Sequence, residues 1–269
     1  MLQSKHNSRI KYIRRLASRR FREQEKKFIV EGVRFLEEAL RENWPLELVM
    51  HTPEAYSTER TARLLNSLSK KNIALLTVEK ELFNSLADTN SPQGVLGIAY
   101  MTTQFTTDTI LQTADHDLLV LVDGVRDPGN LGTIIRCADA SCADGVLVLK
   151  GSADPYNSKT LRSTMGSIFR VPLVQISDSQ LLLNCLHQSG WHLIPGNPKA
   201  TLLLPECDLT GPVVLVIGSE AHGVSAGILA AAWASVRIPM PGKAESLNAG
   251  IAAGIMLYEA LRQRNTLPL

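Results

Sequence analysis

The sequence predicts an α/β protein of two domains: a smaller α/β unit and, after it, a larger unit built on a parallel sheet. A length of 269 residues exceeds the roughly 100–200 residues of a typical domain. Apolar runs at 118–122, 145–149 and 213–217 have the length and composition of strands that are covered on both faces. Helical patterns separate these runs, and strands that alternate with helices indicate a parallel sheet with right-handed crossovers.

The composition excludes several classes of protein. Hydrophobic residues make up 45% of the chain and charged residues 20%, which excludes a disordered or collagenous protein. No apolar run approaches the roughly 18 residues that a membrane-spanning helix needs, and the first residues lack the apolar core of a signal peptide. The four cysteines lack Cys-x-x-Cys spacing and the histidines are dispersed. We therefore expect a cytoplasmic protein without disulfides, bound metal or a segment that spans a membrane.

The charge is distributed unevenly along the chain. Residues 1–27 contain ten Lys or Arg against Glu23 and Glu25, a local net charge of +8, while the whole chain carries +2. The remainder therefore sums to −6. A basic arm on an acidic body indicates a polyanionic partner, either a nucleic acid or an anionic membrane, and charge alone does not decide between them.

The basic arm has a helical pattern over residues 9–22. Ile10, Ile13, Leu16 and Ala17 form one apolar stripe, and cations surround it. The cations that we expect to contact the polyanion here are Arg14, Arg15, Arg19 and Arg20. The alternative is a solvated helix face that only aids solubility.

The rest of the first unit reads as a compact α/β domain. The predicted strands are 27–30, 46–50, 73–78 and 94–100, and the predicted helices are 31–42 and 53–71. No set of residues in this unit has a catalytic pattern, which favours a recognition domain that spans residues 1–101. A threonine-rich stretch without strong periodicity, 102–116, is the predicted linker to a second domain at 117–269.

Polar, glycine-containing segments follow the apolar runs of the second unit, where ligands bind in open parallel sheets. The first of these segments, 123–130, ends at Asn130, which we expect to cap a helix over 131–141. Arg136 lies within this otherwise apolar helix, and a buried guanidinium would need an acidic or phosphate partner.

The second segment is 217–223, in which Gly218 and Gly223 permit close backbone approach. It lacks both the glycine fingerprint of dinucleotide folds and the Gly-Lys-Ser/Thr of a phosphate loop, and by itself it could be a simple strand-to-helix turn. The third segment is 238–248, where Ser246 is a candidate cap for a helix over 246–264.

The C-terminal helix has two apolar faces. The predicted core stripe of this helix is Leu247, Ile251, Ile255, Tyr258 and Leu261. A second face of Gly250, Ala253 and Gly254 allows another backbone to pack closely, either in the core or at a dimer interface.

In this order and spacing, the three segments closely resemble the SpoU/TrmH family of RNA ribose 2′-O-methyltransferases, within the SPOUT superfamily, over essentially all of 118–264. Residues 154–159 and 162–166 resemble the intermediate block of that family. The N-terminal unit resembles the L30e-like substrate-binding domain of many members, on its element order and on the sequence Phe-Ile-Val-Glu-Gly-Val at 28–33.

The resemblance implies a deep trefoil knot in the C-terminal domain and S-adenosylmethionine bound within it. The residues implied to bind this cofactor are Gly218, Glu220, Gly223, Ile238, Met240 and Leu247. The polar side chains implied at the reaction centre are Asn130, Arg136, Ser246 and Asn248. Lys159 and Arg162 join the four arginines of the arm as cations expected to contact RNA. The family also implies a homodimer through the C-terminal domain, and no metal ion.

The role of Arg136 is predicted from the chemistry of its guanidinium. A guanidinium rarely releases its proton, so we expect Arg136 to hold a phosphate and stabilise a developing alkoxide. With its separate N-terminal domain, the chain resembles the ribosomal-RNA-modifying members of the family more than the transfer-RNA-modifying ones, which implies ribosomal RNA as the substrate, with transfer RNA as the alternative. Two other functions stay open at this point: a non-catalytic RNA-binding protein on the same scaffold, and a nucleotide-dependent oxidoreductase, against which the missing glycine fingerprint argues.

Overall fold

The computed structural model describes residue 4, residues 7–102 and residues 105–264. These residues form two compact units. The first contains the described residues up to 102 together with Tyr156–Leu161, and the second contains the others. The ends of the predicted domains at 1–3, 5, 6 and 265–269, and positions 103 and 104 of the predicted linker, lie outside the described residues. In the described part, no helix is long and apolar enough to span a bilayer.

The first unit is a four-stranded sheet with helices on both faces. Its elements are α1 (Ser8–Arg15), α2 (Arg19–Glu25), β1 (Lys27–Glu31), α3 (Val33–Arg41), β2 (Leu46–His51), α4 (Glu59–Lys70), β3 (Ala74–Thr77), α5 (Lys80–Asn84) and β4 (Val95–Tyr100). The strand order is β1-β4-β2-β3. β4 runs antiparallel to both of its neighbours, and β2 and β3 are parallel.

The basic N-terminal segment is part of the core of this unit, and the prediction of one helix over 9–22 is wrong. The chain forms two helices, α1 and α2, because the buried Arg22 donates hydrogen bonds of 2.7 Å to the carbonyl oxygens of Leu16 and Ala17. Ile10 and Ile13 are at most 1% exposed and pack in one cluster with residues of β2 and β4, whereas Ala17 is exposed. The segment is therefore a structural layer of the domain.

Two other helices of this unit begin later than predicted. The predicted helix 53–71 is a 3₁₀ turn, Pro53–Ser57, followed by α4, which starts where the side chain of Thr58 accepts a hydrogen bond from the amide of Thr61. Helix α3 begins at Val33, because Glu31 belongs to β1 and Gly32 has a φ of 102°.

The second unit is a five-stranded parallel sheet in the order β7-β6-β5-β10-β8. Its elements are α6 (Thr107–Thr113), β5 (Leu118–Asp123), α7 (Pro128–Ala140), β6 (Gly145–Leu149), α8 (Ser158–Thr164), β7 (Leu173–Ile176), α9 (Ser179–Gln188), β8 (His192–Pro195), β9 (Leu202–Leu203), β10 (Val213–Gly218), α10 (Ala226–Ala230), β11 (Val236–Arg237) and α11 (Ala249–Gln263). Residues of α8 up to Leu161 cluster with the first unit. The prediction of an α/β protein with a parallel sheet is confirmed.

Part of the predicted linker 102–116 is helical. Thr106 and Thr109 form a capping box that starts α6, and Ile110 is 2% exposed in a cluster with residues of β5 and β6. Threonines that lack apolar periodicity thus provide the cap of a short helix that packs Ile110 and the partly buried Leu111 against this cluster.

The C-terminal helix buries the opposite face from the one predicted. Ile251, Ile255 and Tyr258 of the predicted core stripe are 55%, 37% and 58% exposed. The buried face contains Gly250 and Ala253, and it packs against α7 and β10. A Cβ on Gly250 would lie 2.8 Å from the methyl group of Thr133, so the small residues are needed for this close helix packing.

Candidate functional site

A cavity of about 810 Å³ lies in the second unit, where the loops after β8 and β10 meet the segment that leads into α11. β8 and β10 are parallel neighbours, so their carboxyl ends open at the same edge of the sheet. The predicted cofactor residues that line the cavity are Gly218, Glu220, Gly223, Ile238, Met240 and Leu247. Ser246, predicted at the reaction centre, also lines it. The structure therefore brings residues from two of the three sequence segments together around one cavity.

The loop after β10 is held in a tight bend. The amide of Ser219 donates to the carbonyl of Gly223 at 3.0 Å, and the amide of Gly223 donates back at 2.9 Å. A Cβ on Gly218 would lie 2.3 Å from the carbonyl carbon of Gly223, so only glycine fits there. Beyond the bend, Asp123 at the end of β5 accepts a hydrogen bond of 2.7 Å from the amide of Ser225. The wall of the cavity is thus fixed by main-chain geometry and one carboxylate.

Side-chain hydrogen bonds connect all three sequence segments. Asn130 donates through Nδ2 to Oε1 of Glu220 at 2.5 Å, and its Oδ1 accepts from Nδ2 of Asn248 at 2.8 Å. Oδ1 of Asn248 in turn accepts from the amides of Gly250 and Ile251 at 3.0 and 3.3 Å. We call this chain of bonds through Glu220, Asn130 and Asn248 the amide link. It joins residues 90 and 118 positions apart in sequence and defines the orientation of both asparagine amides.

The two helices at the link are capped by other residues than predicted. Asp127, not Asn130, caps α7: its carboxylate accepts from the amide of Asn130 at 2.8 Å, and Pro128 takes the first helical position. Asn248, not Ser246, caps α11. Asn130 is thus released from capping, and its side chain is free to take part in the link.

Arg136 stands apart from the cavity of its own chain. It is exposed on α7, one turn beyond Thr133, and it is not among the residues that line the cavity. Among the described residues, none forms a hydrogen bond or ion pair with its guanidinium. Arg136 is exposed and not buried among the apolar residues of its helix, because this face of α7 is turned to solvent. The guanidinium is available to a phosphate or to another chain.

The sequence did not single out several polar residues of the cavity wall. Asn197 and Lys199 follow β8, and Glu245 precedes Ser246; all three line the cavity. The carboxylates of Glu220 and Glu245 and the ammonium of Lys199 give the wall both signs of charge. Ligands bind beyond the carboxyl ends of parallel strands, and Asn197 and Lys199 follow such an end. Recognition of β8, which is only four residues long, would therefore have identified both residues as candidates.

The six cations expected to contact RNA are all exposed. Arg14 donates to Oγ of Ser85 at 2.9 Å, and the guanidinium of Arg15 lies 4.0 Å over the ring of Phe21. Arg19 forms an ion pair with Glu23 at 2.8 Å, and Arg20 lies beside it on α2. Lys159 and Arg162 lie on α8. The four arginines thus lie along α1 and α2 with exposed side chains.

The side chains are considered next as metal ligands and, for one cysteine, as a nucleophile. No group of three His, Cys, Asp or Glu side chains in the described ranges could hold a metal ion. Burial raises the pKa of the Cys137 thiol on α7, and the nearby charge of Arg136 opposes this shift. A thiol with a raised pKa is a weak nucleophile at neutral pH.

A parallel sheet with a mixed polar and apolar cavity beyond its carboxyl ends, bordered by a hydrogen-bonded amide link, defines a cofactor-dependent α/β enzyme. A model of the SpoU rRNA Methylase family matches residues 117–258, and one of the MRM3-like substrate binding domain matches residues 7–97. The chain belongs to the SpoU rRNA methylase family.

Three similar proteins match almost the whole chain. An uncharacterized tRNA/rRNA methyltransferase of Synechocystis is 35% identical over 97% of this chain and 93% of its own. The 23S rRNA (guanosine(2553)-2′-O)-methyltransferase RlmP of Bacillus subtilis is 30% identical over 96% and 97%. The crystal structure of an AdoMet-bound rRNA methyltransferase from Sinorhizobium meliloti has a TM-score of 0.86 at 30% identity, with 97% of both chains covered. The predicted family and the predicted α/β fold with a parallel sheet are confirmed.

Proposed function

We propose that this protein transfers a methyl group from S-adenosylmethionine to a ribose 2′-hydroxyl of ribosomal RNA. The observation that carries the proposal is the amide link, which places polar groups of all three family segments at the edge of one cavity. A non-catalytic RNA-binding protein would have no need for this alignment. The names of similar proteins, RlmP among them, support ribosomal RNA as the substrate and the 2′-oxygen as the acceptor.

The cavity fits S-adenosylmethionine. Its volume of about 810 Å³ lies within the roughly 300–1,000 Å³ of small-molecule sites. Ile238, Met240 and Leu247 offer apolar walls for an adenine, and the narrow bend at Gly218 exposes main-chain groups that can read its edge. Glu220 and Glu245 complement a cationic ligand, and Lys199 complements a carboxylate. The bound cofactor supplies an electrophilic methyl group on a sulfonium.

The chain's own polar residues orient the acceptor. Asn130 and Asn248 hold each other, so their amides are prearranged and lose little freedom when a ribose binds. Ser246, on the cavity wall, presents a hydroxyl that can donate to a ribose oxygen or accept from it. Arg136 keeps its proton, holds the phosphate next to the ribose, and stabilises the charge that develops on the 2′-oxygen as the hydroxyl proton leaves to water.

The active form is a homodimer through the C-terminal domain. Ile251, Ile255 and Tyr258 form an exposed apolar stripe on α11, with the i, i+4, i+7 spacing of one helix face. A contiguous apolar face of this kind supports association with a second copy. Since Arg136 is exposed and does not line the cavity of its own chain, we infer that it acts at the subunit interface.

The two units have different functions. Residues 1–101 form the RNA-binding domain and residues 117–269 the methyltransferase domain, a division supported by the two family matches. The six exposed cations on α1, α2 and α8 contact the RNA backbone, without a metal ion. The enzyme acts in the cytoplasm. The trefoil knot that the family resemblance implies stays a prediction for this chain.

The proposal is tested with purified protein, S-adenosylmethionine carrying a labelled methyl group, and RNA from cells that lack the gene. We expect label in one ribose 2′-oxygen of ribosomal RNA and not in transfer RNA. Arg136→Ala should abolish transfer while S-adenosylhomocysteine binds as tightly as to the wild type, measured by calorimetry. Label in transfer RNA would overturn the substrate. Cofactor binding without transfer to any RNA would favour the non-catalytic alternative.

A further inference from the structure

Two aromatic rings are stacked on the surface of the second unit, beside the outermost strand of its sheet. The ring of His192, the first residue of β8, lies 4.6 Å from the ring of Trp233, and the two planes are within 3° of parallel. The amide of Trp233 donates a 3.0 Å hydrogen bond to the carbonyl of Leu193, which fixes the backbone at the stack. Trp233 is nevertheless 53% exposed, as expected for a ring with one face covered by His192 and the other open to solvent. We call this pair the aromatic platform.

The platform suits a flat ring better than the surface of another protein. In the described stretch 182–250, no other aromatic, leucine, isoleucine, valine or methionine side chain is exposed. A fully buried aromatic side chain supplies roughly 150–250 Å² of contact, whereas a stable protein interface needs about 800 Å² per partner. One half-exposed ring is therefore too small an apolar surface for a protein partner. It is large enough for a nucleobase, which stacks on a single ring face.

The segment that follows Trp233 leads from the platform to the cavity. This segment runs alongside β8: Trp233 is bonded to Leu193, and Val236 forms a bridge with Gly196. Both Val236 and Gly196 line the cavity. A strand rises about 3.3 Å per residue, so the three residues from 193 to 196 separate the platform from the cavity wall by about 10 Å. At the roughly 3.4 Å rise of stacked nucleotides, this distance corresponds to about three nucleotides, so an RNA strand that enters the cavity can also reach the platform.

A guanidinium without a partner lies along the same segment. Side chains of a strand alternate between its faces, and Arg237 does not line the cavity, although Val236 and Ile238 do. Nε of Arg237 is buried, and among the described residues none forms a hydrogen bond or ion pair with this guanidinium. A buried donor that lacks an acceptor destabilises the free protein, and a phosphate oxygen would supply the acceptor. The positive charge thus favours RNA as the occupant of this surface.

We propose that the aromatic platform stacks an unpaired base of the RNA substrate, close to the methylated nucleotide, while Arg237 binds a phosphate of the same strand. The proposal rests on the proposed methyl transfer to RNA and adds a contact within the methyltransferase domain. Every base has a flat face, so stacking tolerates any sequence. The platform therefore selects an unpaired strand and not a particular base, because the face of a base within a duplex is covered by its neighbours.

The test uses the full chain labelled with fluorotryptophan, with S-adenosylhomocysteine present to fill the cavity. The chain has three tryptophans, and the fluorine NMR signal that Trp233→Phe removes is the signal of Trp233. The probes are hexaadenylate and a hexamer of the same ribose-phosphate backbone without bases. We expect hexaadenylate to shift the Trp233 signal, whereas the abasic hexamer should leave it in place.

Variants separate the base contact from the phosphate contact. Trp233→Leu should weaken the binding of hexaadenylate about 5-fold to 150-fold, the effect of one stacked base, and should leave the binding of the abasic hexamer unchanged. Trp233→Phe, which keeps a smaller ring, should recover part of this loss. Arg237→Gln should weaken the binding of both hexamers and reduce the slope of log K against log salt by about 0.7, because a phosphate contact does not need the base.

The control is Leu181→Ala, which removes another exposed apolar side chain of the same unit and should bind both hexamers like the wild type. Circular dichroism of all variants checks that the unit is folded. The fluorine signal of Trp233 is read in the unsubstituted protein, so it tests the platform even if Trp233→Leu does not fold.

A Trp233 signal unmoved by hexaadenylate, or an equal loss for both hexamers in Trp233→Leu, would overturn base stacking at the platform. A signal that moves with protein concentration and not with RNA would also overturn it, because a second copy would then cover the ring. A wild-type salt slope in Arg237→Gln would overturn the phosphate contact. Since these measurements involve no methyl transfer, their failure would leave the proposed enzymatic activity standing, and a failure of methyl transfer would leave the stacking measurable.

Discussion

Asn248 performs two tasks that substitutions can separate. Its Oδ1 caps α11 by accepting from the amides of Gly250 and Ile251, and its Nδ2 donates to Asn130. Asn248→Ala removes the cap and the donor together. Asn248→Asp keeps an oxygen at the cap, where a carboxylate is also favoured by the helix dipole, but it has no amide proton to give to Asn130.

The expected magnitudes follow from these contacts. Loss of an asparagine cap costs about 0.5–2 kcal/mol, and loss of an exposed side-chain hydrogen bond adds about 0.5 kcal/mol. For a unit of this size, each kcal/mol corresponds to about 2–4 °C in Tm, so Asn248→Ala should lower the Tm by roughly 2–10 °C. Asn248→Asp should stay within about 2 °C of the wild type, since the cap survives.

Methyl transfer should fall in both variants. Without the bond from residue 248, the Asn130 amide is held only by Glu220 and is free to turn, and misplacement of a positioning group by about 1 Å can cost a hundredfold in rate. The assay pairs differential scanning calorimetry with single-turnover transfer to ribosomal RNA. Wild-type turnover in Asn248→Asp would refute the role of the amide link. An equal loss of Tm in the two variants would refute the assignment of the cap.

Three further predictions use the chain's own controls. Gly218→Ala should abolish S-adenosylhomocysteine binding by calorimetry because its Cβ would meet the opposite backbone of the loop at 2.3 Å, whereas Gly227→Ala, with nothing within 4 Å, should bind normally. Arg20→Gln should reduce the slope of log K against log salt for RNA binding by about 0.9 with no change in Tm. Arg22→Gln, which loses the hydrogen bonds of the buried guanidinium to Leu16 and Ala17, should lower the Tm. Tyr258→Glu should halve the mass measured by light scattering; an unchanged mass would contradict the dimer interface.

The sheet of the second unit could be predicted because its signals are local. The continuous apolar runs that begin at Leu118, Gly145 and Val213 all form strands close to the predicted limits. β8 was missed because four residues that end in Pro195 give too short a run to distinguish a strand from a loop. The loop after β8 contributes Asn197 and Lys199 to the cavity, so a missed strand hid two candidate site residues.

The amide link could not be predicted from spacing. Asn130 and Asn248 are both good capping residues, and only the structure shows that Asp127 caps α7 and frees Asn130 for the link. The sequence did carry one usable signal. Pro128 favours the first position of a helix, which places the cap at residue 127 and not at 130.

Helix α11 shows why an apolar pattern alone does not locate the core. The helix is apolar on two faces, and periodicity identifies both without stating which one meets the rest of the chain. The decision lies with the small residues, because Gly250 lets α7 approach to a distance that a stripe of isoleucine and tyrosine would prevent. The larger side chains are therefore left on the surface, where only a second copy or another partner can cover them.

The basic segment at the N-terminus shows that an excess of charge does not exclude a role in the core. The excess of cations predicts contact with RNA, but the same residues 8–25 bury Ile10, Ile13 and Phe21 in the core of the first unit. Truncation of this segment would remove part of that core together with the cations, so a loss of RNA binding would not show which of the two mattered. Single substitutions on the exposed side of α2 change the charge and leave the apolar layer in place. Substitution of the buried Arg22 is the comparison. Single substitutions at this helix can therefore separate the effect on RNA affinity from the effect on domain stability, whereas truncation of the segment cannot.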